Sequence, residues 1–332
     1  MDKNQKRTII TVLGVGGGGN NAVNNMYLQD IEGITFVVSD TDRHKLEESP
    51  VPDRVLLGIN TTQGQSAIND HEVARRAAEE SEPDIAALFD NDTKMVIITA
   101  GMGGGTGTGA APVVARIAHE MGMLTVGFVT IPFTFEGELR IRKALAGIEE
   151  LRRYADALFI INNERLTEMY GDLDRSNAFI EADETLTAAV SSLCALITVN
   201  NKISIDFNDM NSTLRKSGNA IIISGFGSGE RRLTKSLENA LKSPLLKDCN
   251  IFSSKKMMMN FYYNPYSEMP LRMDEMSEIQ EFMKNFDKEV DVIWGMAHDS
   301  TLKGQVKVTI LASGFKASTH GPQTIVEEQT IE

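Results

Sequence analysis

Apolar positions in the first half of the chain fall into short continuous runs separated by helical patterns. Runs at 8–13, 34–39, 55–57, 95–100, 124–130 and 157–161 are too short and too uniformly apolar for amphipathic helices, and they predict buried strands. Between them, 21–30, 71–80, 110–121 and 137–154 carry apolar residues at helical spacing. Strands buried on both faces and alternating with helices predict a parallel sheet covered on both sides. Segment 174–199 follows, with Phe179, Leu186, Val190, Leu193, Leu196 and Ile197 recurring along one long helix that is apolar over more than one face. Beyond Phe207 the rhythm changes. Strands are expected at 220–223, 257–262, 290–294 and 307–312, with helices at 233–241 and 275–285. The expected organisation is a first domain over 8–173, a connecting helix over 174–199, a smaller α/β domain of roughly four strands over 200–315, and a polar, aperiodic tail over 316–332 that reads as disordered.

Two glycine-rich segments interrupt this pattern, each directly after a strand and before a helix. The first, Gly14-Val15-Gly16-Gly17-Gly18-Gly19-Asn20-Asn21, satisfies G-x-G-x-x-G through Gly14, Gly16 and Gly19. Asp40 and Asp42 follow at the end of the next strand, about where a ribose-binding acid would sit. The second, Gly101 to Gly109, is denser: six of nine residues are glycine and two are threonine. The helix after it is expected to carry Pro112 in its first turn. Ligands of such sheets bind at the carboxyl ends of the strands, where both segments lie. Glycine backbones turned inward and the positive ends of two helices make an anion site. A dinucleotide fold accounts for the first loop but gives no reason for the second. Neither loop has the G-x-x-x-x-G-K-[ST] pattern, and Lys94 and Lys143 are outside any such spacing. Phosphates would therefore be held by backbone N–H groups, helix N-termini and threonine hydroxyls.

Composition narrows the field of partners. The 332 residues carry 46 acidic and 33 basic side chains, a formal net charge of −13. That balance argues against non-specific binding to nucleic acid or anionic lipid, which needs clustered Lys and Arg. Cys194 and Cys249 are expected to be free thiols of a reducing compartment. The charged start, Met1 to Arg7, is not a signal sequence, and no apolar run reaches the roughly 20 residues of a membrane span. A cytoplasmic protein with no direct membrane insertion is expected.

Several landmarks occur in a recognisable order. Gly101–Gly109 closely resembles the signature loop of the tubulin/FtsZ family. Gly14–Asn21, Pro132-Phe133-Thr134-Phe135-Glu136-Gly137, Ser204-Ile205-Asp206-Phe207-Asn208-Asp209 and Ser243-Pro244-Leu245-Leu246 match other landmarks of its bacterial cell-division branch. The resemblance runs from about residue 8 to about residue 315. It implies a tubulin-like fold: a Rossmann-like parallel sheet that binds GTP and GDP, a long central helix and a second smaller α/β domain. It further implies a GTPase that assembles head to tail into protofilaments and builds the division ring.

What the resemblance implies for the site can be given residue by residue. Gly17, Gly18, Gly19, Asn20 and Asn21 would sit by the phosphates. Gly103, Gly104, Gly105, Thr106, Gly107 and Thr108 would cradle the β- and γ-phosphates. Asp40 would lie near the nucleotide, and Glu136 and Arg140 near the ribose and guanine. Asn163, Phe179 and Asp183 would complete the base pocket, with Phe179 stacked on guanine. Asp206 and Asp209 would enter the nucleotide site of the next subunit and orient the attacking water, while Mg²⁺ held by the phosphates and water offsets developing charge. On the residues alone, Phe179 reads as a helix-core side chain and the two acids as solvated loop residues. Departures from the family pattern fall at Asp40, Asp183 and Ser204, each where asparagine is usual, and at 64–69, which lacks glycines of the loop that senses the γ-phosphate. They leave hydrolysis rate and switching open, so a non-hydrolysing GTP-binding homologue stands as the alternative. An NAD-dependent oxidoreductase is a further one, although His44, His71, His119, His298 and His320 offer no clear proton-transfer residue. Partners implied are further copies of the chain, and division-ring proteins through a C-terminal segment absent from this sequence.

Overall fold

The computed structural model describes residues 8–68, 70–89, 92–168, 175–198, 201–203, 205–247, 249–269, 271–286 and 289–315. Ser204, Asn69 and the 316–332 tail, each singled out above, lie outside the described residues. The chain divides into two compact units, Met1–Ser191 and Ser192–Glu332.

The first unit opens with β1 (Ile10–Val15), α1 (Gly16–Leu28), β2 (Thr35–Asp40), α2 (Arg43–Glu48), β3 (Asp53–Leu56), α3 (Ile59–Thr62), α4 (His71–Glu80) and α5 (Glu82–Ala86). It continues with β4 (Met95–Gly101), α6 (Thr106–Glu120), β5 (Leu124–Ile131), α7 (Glu138–Arg152), β6 (Ala157–Asn162) and α8 (Arg175–Thr198), and the unit division falls inside α8. Its strands pair in parallel in the order β3-β2-β1-β4-β5-β6. All six residues of β1 are buried, as a strand covered on both faces must be. Strand order reverses between β1 and β4, whose neighbours are β2 on one side and β5 on the other. The two helices that leave these strands, α1 and α6, thus begin side by side at the carboxyl edge, where a crevice opens.

The first glycine segment is mostly a helix start, whereas the second leaves β4 at Gly101, turns over 102–105 and enters a helix only at Thr106. α1 begins at Gly16, five residues before the expected start, and α6 begins at Thr106. Pro112 consequently sits inside α6 and not in its first turn. It leaves the Thr108 carbonyl without a helical donor, a cost the surrounding packing must offset. In α8 the buried stripe is Ala182, Leu186, Val190, Leu193, Cys194 and Leu196. Phe179 is 43% exposed and stands outside it. Cys194 is fully enclosed, and burial pushes its thiol up to about 12; Cys249 is half-buried, and both are free.

The second unit contains β7 (Asn201–Ile203), α9 (Phe207–Leu214), β8 (Gly218–Gly227), α10 (Arg232–Leu241), β9 (Lys256–Tyr263), α11 (Met276–Met283), β10 (Asp291–His298) and β11 (Val306–Ser313). These are five strands, one more than the sequence suggested, in the order β8-β11-β9-β10-β7. β11 is antiparallel to both β8 and β9, while β9 and β10 run parallel. Ile221, Ile223, Met259, Val308 and Ile310 on one sheet face pack with Leu233 and Leu237 of α10. Arg232 is buried beside this core, where its guanidinium donates to both carboxylate oxygens of Glu275 at 2.8 and 2.9 Å. No helix of the described residues is long and apolar enough to cross a membrane.

Candidate nucleotide site

An α-helix leaves the N–H groups of its first turn without intrahelical partners, and most sequences cap them with a side chain. α2 and α4 do so: Asp42 accepts from the N–H groups of His44 and Lys45, and Asp70 from those of Glu72 and Val73. α1 and α6 do not. Their N-cap residues, Val15 and Gly105, provide no side-chain cap, and neither first turn carries an acid. Two helix ends with open donors therefore adjoin, and a Cβ on Gly16 would stand only 2.8 Å from the Gly107 nitrogen.

The glycines here do two different jobs. At Gly19 a Cβ would run into the Thr99 carbonyl oxygen, and at Gly107 into the Gly101 oxygen. These positions let α1 and α6 press onto β4. Gly103 has φ +98°, and its Cβ would meet Pro132 Cγ at 2.7 Å; its N–H donates to Thr108 Oγ1 at 2.8 Å. Gly103 and Thr108 thus brace the turn against itself. At Gly104 nothing lies within 4 Å. That position faces open space, and a Cβ there would meet no other protein atom.

Polar residues beside the two glycine helix starts are similarly divided. Asn20 is buried with both amide atoms committed to the Ser39 backbone, donating to its carbonyl at 3.1 Å and accepting from its N–H at 3.3 Å. It ties α1 to β2. Asp40 is buried at the end of β2, where its Oδ1 accepts from the Thr41 N–H at 2.8 Å, the Asp42 N–H at 3.3 Å and the Thr106 hydroxyl at 3.3 Å. Burial outweighs these bonds and raises its pKa. Thr41 and Thr106 place their hydroxyls 3.3 Å apart, and Thr41 Oγ1 also accepts from the Ala67 N–H at 3.1 Å. The first turn of α6 is in this way linked to the 64–69 segment.

Around α1, α8 and the turn before α7 the structure brings together residues far apart in sequence. Asn21 donates to Asp183 Oδ2 at 2.8 Å, joining α1 to α8. Burial raises the Asp183 pKa, only partly offset by that bond. Glu136 accepts from the Phe133 N–H at 2.9 Å and from the Arg140 guanidinium at 2.6 Å, so it shapes the turn before α7. Phe133 and Phe135 stack with centroids 5.0 Å apart, and Phe179 meets both edge-on at 5.6 and 5.9 Å. Asn163, 6% exposed at the end of β6, has an Oδ1 with no hydrogen-bond partner. A buried orphan acceptor is costly, and a planar ligand with N–H edges removes that cost. Uncapped helix starts that favour anions and a buried acceptor suited to an N–H edge are each compatible with a phosphorylated heterocycle.

The second unit holds Asp206 and Asp209, and they are not the plain loop acids their sequence suggests. Asp206 is the N-cap of α9, accepting from the Asp209 N–H at 2.9 Å; the Asp206 N–H donates back to Asp209 Oδ2 at 2.9 Å. This reciprocal box fixes both carboxylates at the start of α9. Asp206 is exposed and Asp209 half-buried.

Sequence reasoning did not single out Thr41 or Lys45, and it named Phe133 and Phe135 only as part of a landmark. Asp42 ahead of Arg43-His44-Lys45 was the available sign of a capped helix start that brings Lys45 to α1.

Residues 9–171 match the tubulin/FtsZ family GTPase domain, and residues 218–316 match the FtsZ family C-terminal domain. The chain is similar to the cell division protein FtsZ of Porphyromonas gingivalis, 49% identical over 312 residues, covering 94% of this chain and 68% of that protein. It is 40% identical to the FtsZ of Caulobacter vibrioides, covering 93% of this chain but 60% of the relative's length. Among solved structures, an empty FtsZ dimer from M. jannaschii superposes with a TM-score of 0.85 at 35% identity, covering 94% of this chain and 89% of the other. None of these matches favours an oxidoreductase. The chain belongs to the tubulin/FtsZ family, and its residues 9–171 form that family's GTPase domain.

Proposed function

We propose that this protein binds and hydrolyses GTP at the head-to-tail interface of a polymer of identical chains, and that the polymer builds the bacterial division ring. The observation that carries this reading is the pair of uncapped glycine helix starts at the strand-order switch, in a chain whose relatives bear the name cell division protein. Backbone donors of α1 and α6 hold the phosphates, with Gly104 lining the cradle. Asn163, Asp183 and Phe179 hold guanine: Asp183 accepts from its N1–H and N2–H₂ groups, and Phe179 stacks on its face. The phosphates and water, rather than protein side chains, would hold Mg²⁺, which would supply charge neutralisation there. Among the described residues, no three His, Cys, Asp or Glu side chains are grouped to hold a metal.

Asp206 and Asp209 complete the site from the neighbouring subunit. Each carboxylate keeps one oxygen on the capping box and turns the other to the attacking water, orienting it in line with the phosphorus. A head-to-tail contact is heterologous, so repetition extends a filament instead of closing a pair. Division-ring proteins are partners of that filament in the cytoplasm at the division site.

The test mixes two variants that are each inactive. Asp209→Asn binds GTP but lacks the charge, whereas Gly104→Val keeps both acids but blocks the cradle. Where a Gly104→Val subunit presents its acids to a GTP-filled Asp209→Asn site, a complete centre is rebuilt, so phosphate release should return to part of the wild-type rate. Silence in a mixture shown by sedimentation to co-assemble would refute the shared site. Wild-type turnover that does not rise with protein concentration would refute it as well.

A further inference from the structure

Both glycine segments lack a lysine, yet a third element supplies one. Lys45 belongs to α2, whose start is fixed by the Asp42 cap. Its ammonium lies 3.8 Å from the point a Cβ on Gly17 would occupy. In a helix the Cα–Cβ bond leans toward the N-terminus, so this point lies on the open end of α1. Among the described residues no ion pair is formed by Lys45. The acid that feels its charge, Asp40, is buried and already accepts from Thr41, Asp42 and Thr106. An exposed lysine without an ion pair is ordinary on a surface. This one stands where two uncapped helix starts already converge, and all three features carry the same sign. Such convergence favours an anion, and Asp40, whose Oδ1 already accepts three hydrogen bonds, offsets only part of it.

We propose that Lys45 is a phosphate-binding residue of the nucleotide site, a side-chain cation that reaches the phosphate chain from α2. The inference rests on the nucleotide reading above. Its chemistry resembles that of a P-loop lysine but comes from a different strand–helix unit: a point charge on a flexible stem that strengthens binding as ligand charge rises and as salt falls.

Equilibrium affinities of the full chain for GDP and a non-hydrolysable GTP analogue, measured at low and high salt, test it. Lys45→Gln should weaken both by about ten-fold at low salt, the scale of one charge-assisted contact. The loss should shrink as salt rises, because the variant lacks the screened charge. Lys45→Arg should retain most of the affinity, and the melting temperature of both variants should match wild type. Wild-type affinity in Lys45→Gln, or a loss of equal size at both salt concentrations, overturns the assignment while leaving the nucleotide reading intact. Failure of the wild-type chain to bind either nucleotide overturns both.

Discussion

The helix starts of α1 and α6 and that of α9 solve the same problem in opposite ways. Each has N–H groups with no partner in the helix. α9 closes them with its own acids, Asp206 and Asp209, in a reciprocal pair of 2.9 Å bonds. α1 and α6 leave them open and surround them with glycine. A capped start is satisfied by its own side chains and presents negative charge; an uncapped one leaves its donors to water until an anion takes its place. The first arrangement suits a group that must be held out rigidly toward a reaction, the second a group that must receive a ligand. The two acids are therefore positioned before any nucleotide arrives, by about 1 kcal/mol of capping that is independent of catalysis.

The sharpest way to break this comparison is to separate charge from cap. Asp209→Asn keeps an oxygen to accept from the Asp206 N–H but loses the carboxylate. GTP turnover is expected to fall by about 10²–10⁴-fold, the scale of a positioned water-orienting group, with nucleotide affinity and melting temperature held. If turnover stays near wild type in an enzyme assay, the acids serve only as a helix cap.

The glycines of the open starts separate by the same logic. Gly104→Val should leave folding stability within about 0.5 kcal/mol, as at an unobstructed surface position. It should reduce GDP affinity by more than about 100-fold, because the side chain excludes the phosphates from several charge-assisted contacts. Gly19→Ala should do the reverse work: its Cβ meets the Thr99 backbone, so stability is expected to drop by about 1–3 kcal/mol. Denaturant melts and nucleotide titration of the two variants measure both quantities. Matching behaviour of the pair would erase the distinction between packing and cradle glycines.

A smaller effect concerns the base side. Burial raises the Asp183 pKa above its ordinary value of 3.8. Guanine N–H groups need the ionised carboxylate as acceptor, so bound nucleotide favours the deprotonated form. Affinity for GDP should therefore weaken as pH falls toward that raised value, by less than about ten-fold between neutral pH and about pH 5. Asp183→Asn should flatten this part of the profile. The pH dependence that survives in it combines protonation of the GDP terminal phosphate with that of Asp40, which is raised by burial too.

The sequence by itself determined the architecture and the chemical class of the site. Apolar runs and helical spacing located all six strands of the first sheet and most of the second, because even strands with buried polar residues such as Thr11, Thr99 and Thr125, or with an exposed face such as β3 and β10, keep a short apolar run. Glycine density after two strands specified an anion site, since only there does a backbone need so much freedom of approach. Tertiary structure decided which residue does what. Whether a glycine packs or opens depends on what lies opposite it, Thr99 against Gly19 and nothing against Gly104. Asn20 and Asn21 are adjacent, yet one grips β2 and the other reaches Asp183, 162 residues away. Phe179 carries the apolar signature of a core residue, but the winding of α8 turns it out of the buried stripe and against Phe133 and Phe135. Lys45 belongs to no glycine motif and reaches α1 only because α2 follows the strand beside β1. Local pattern encodes what a segment is, whereas contacts across the sheet set the distances at which its side chains act.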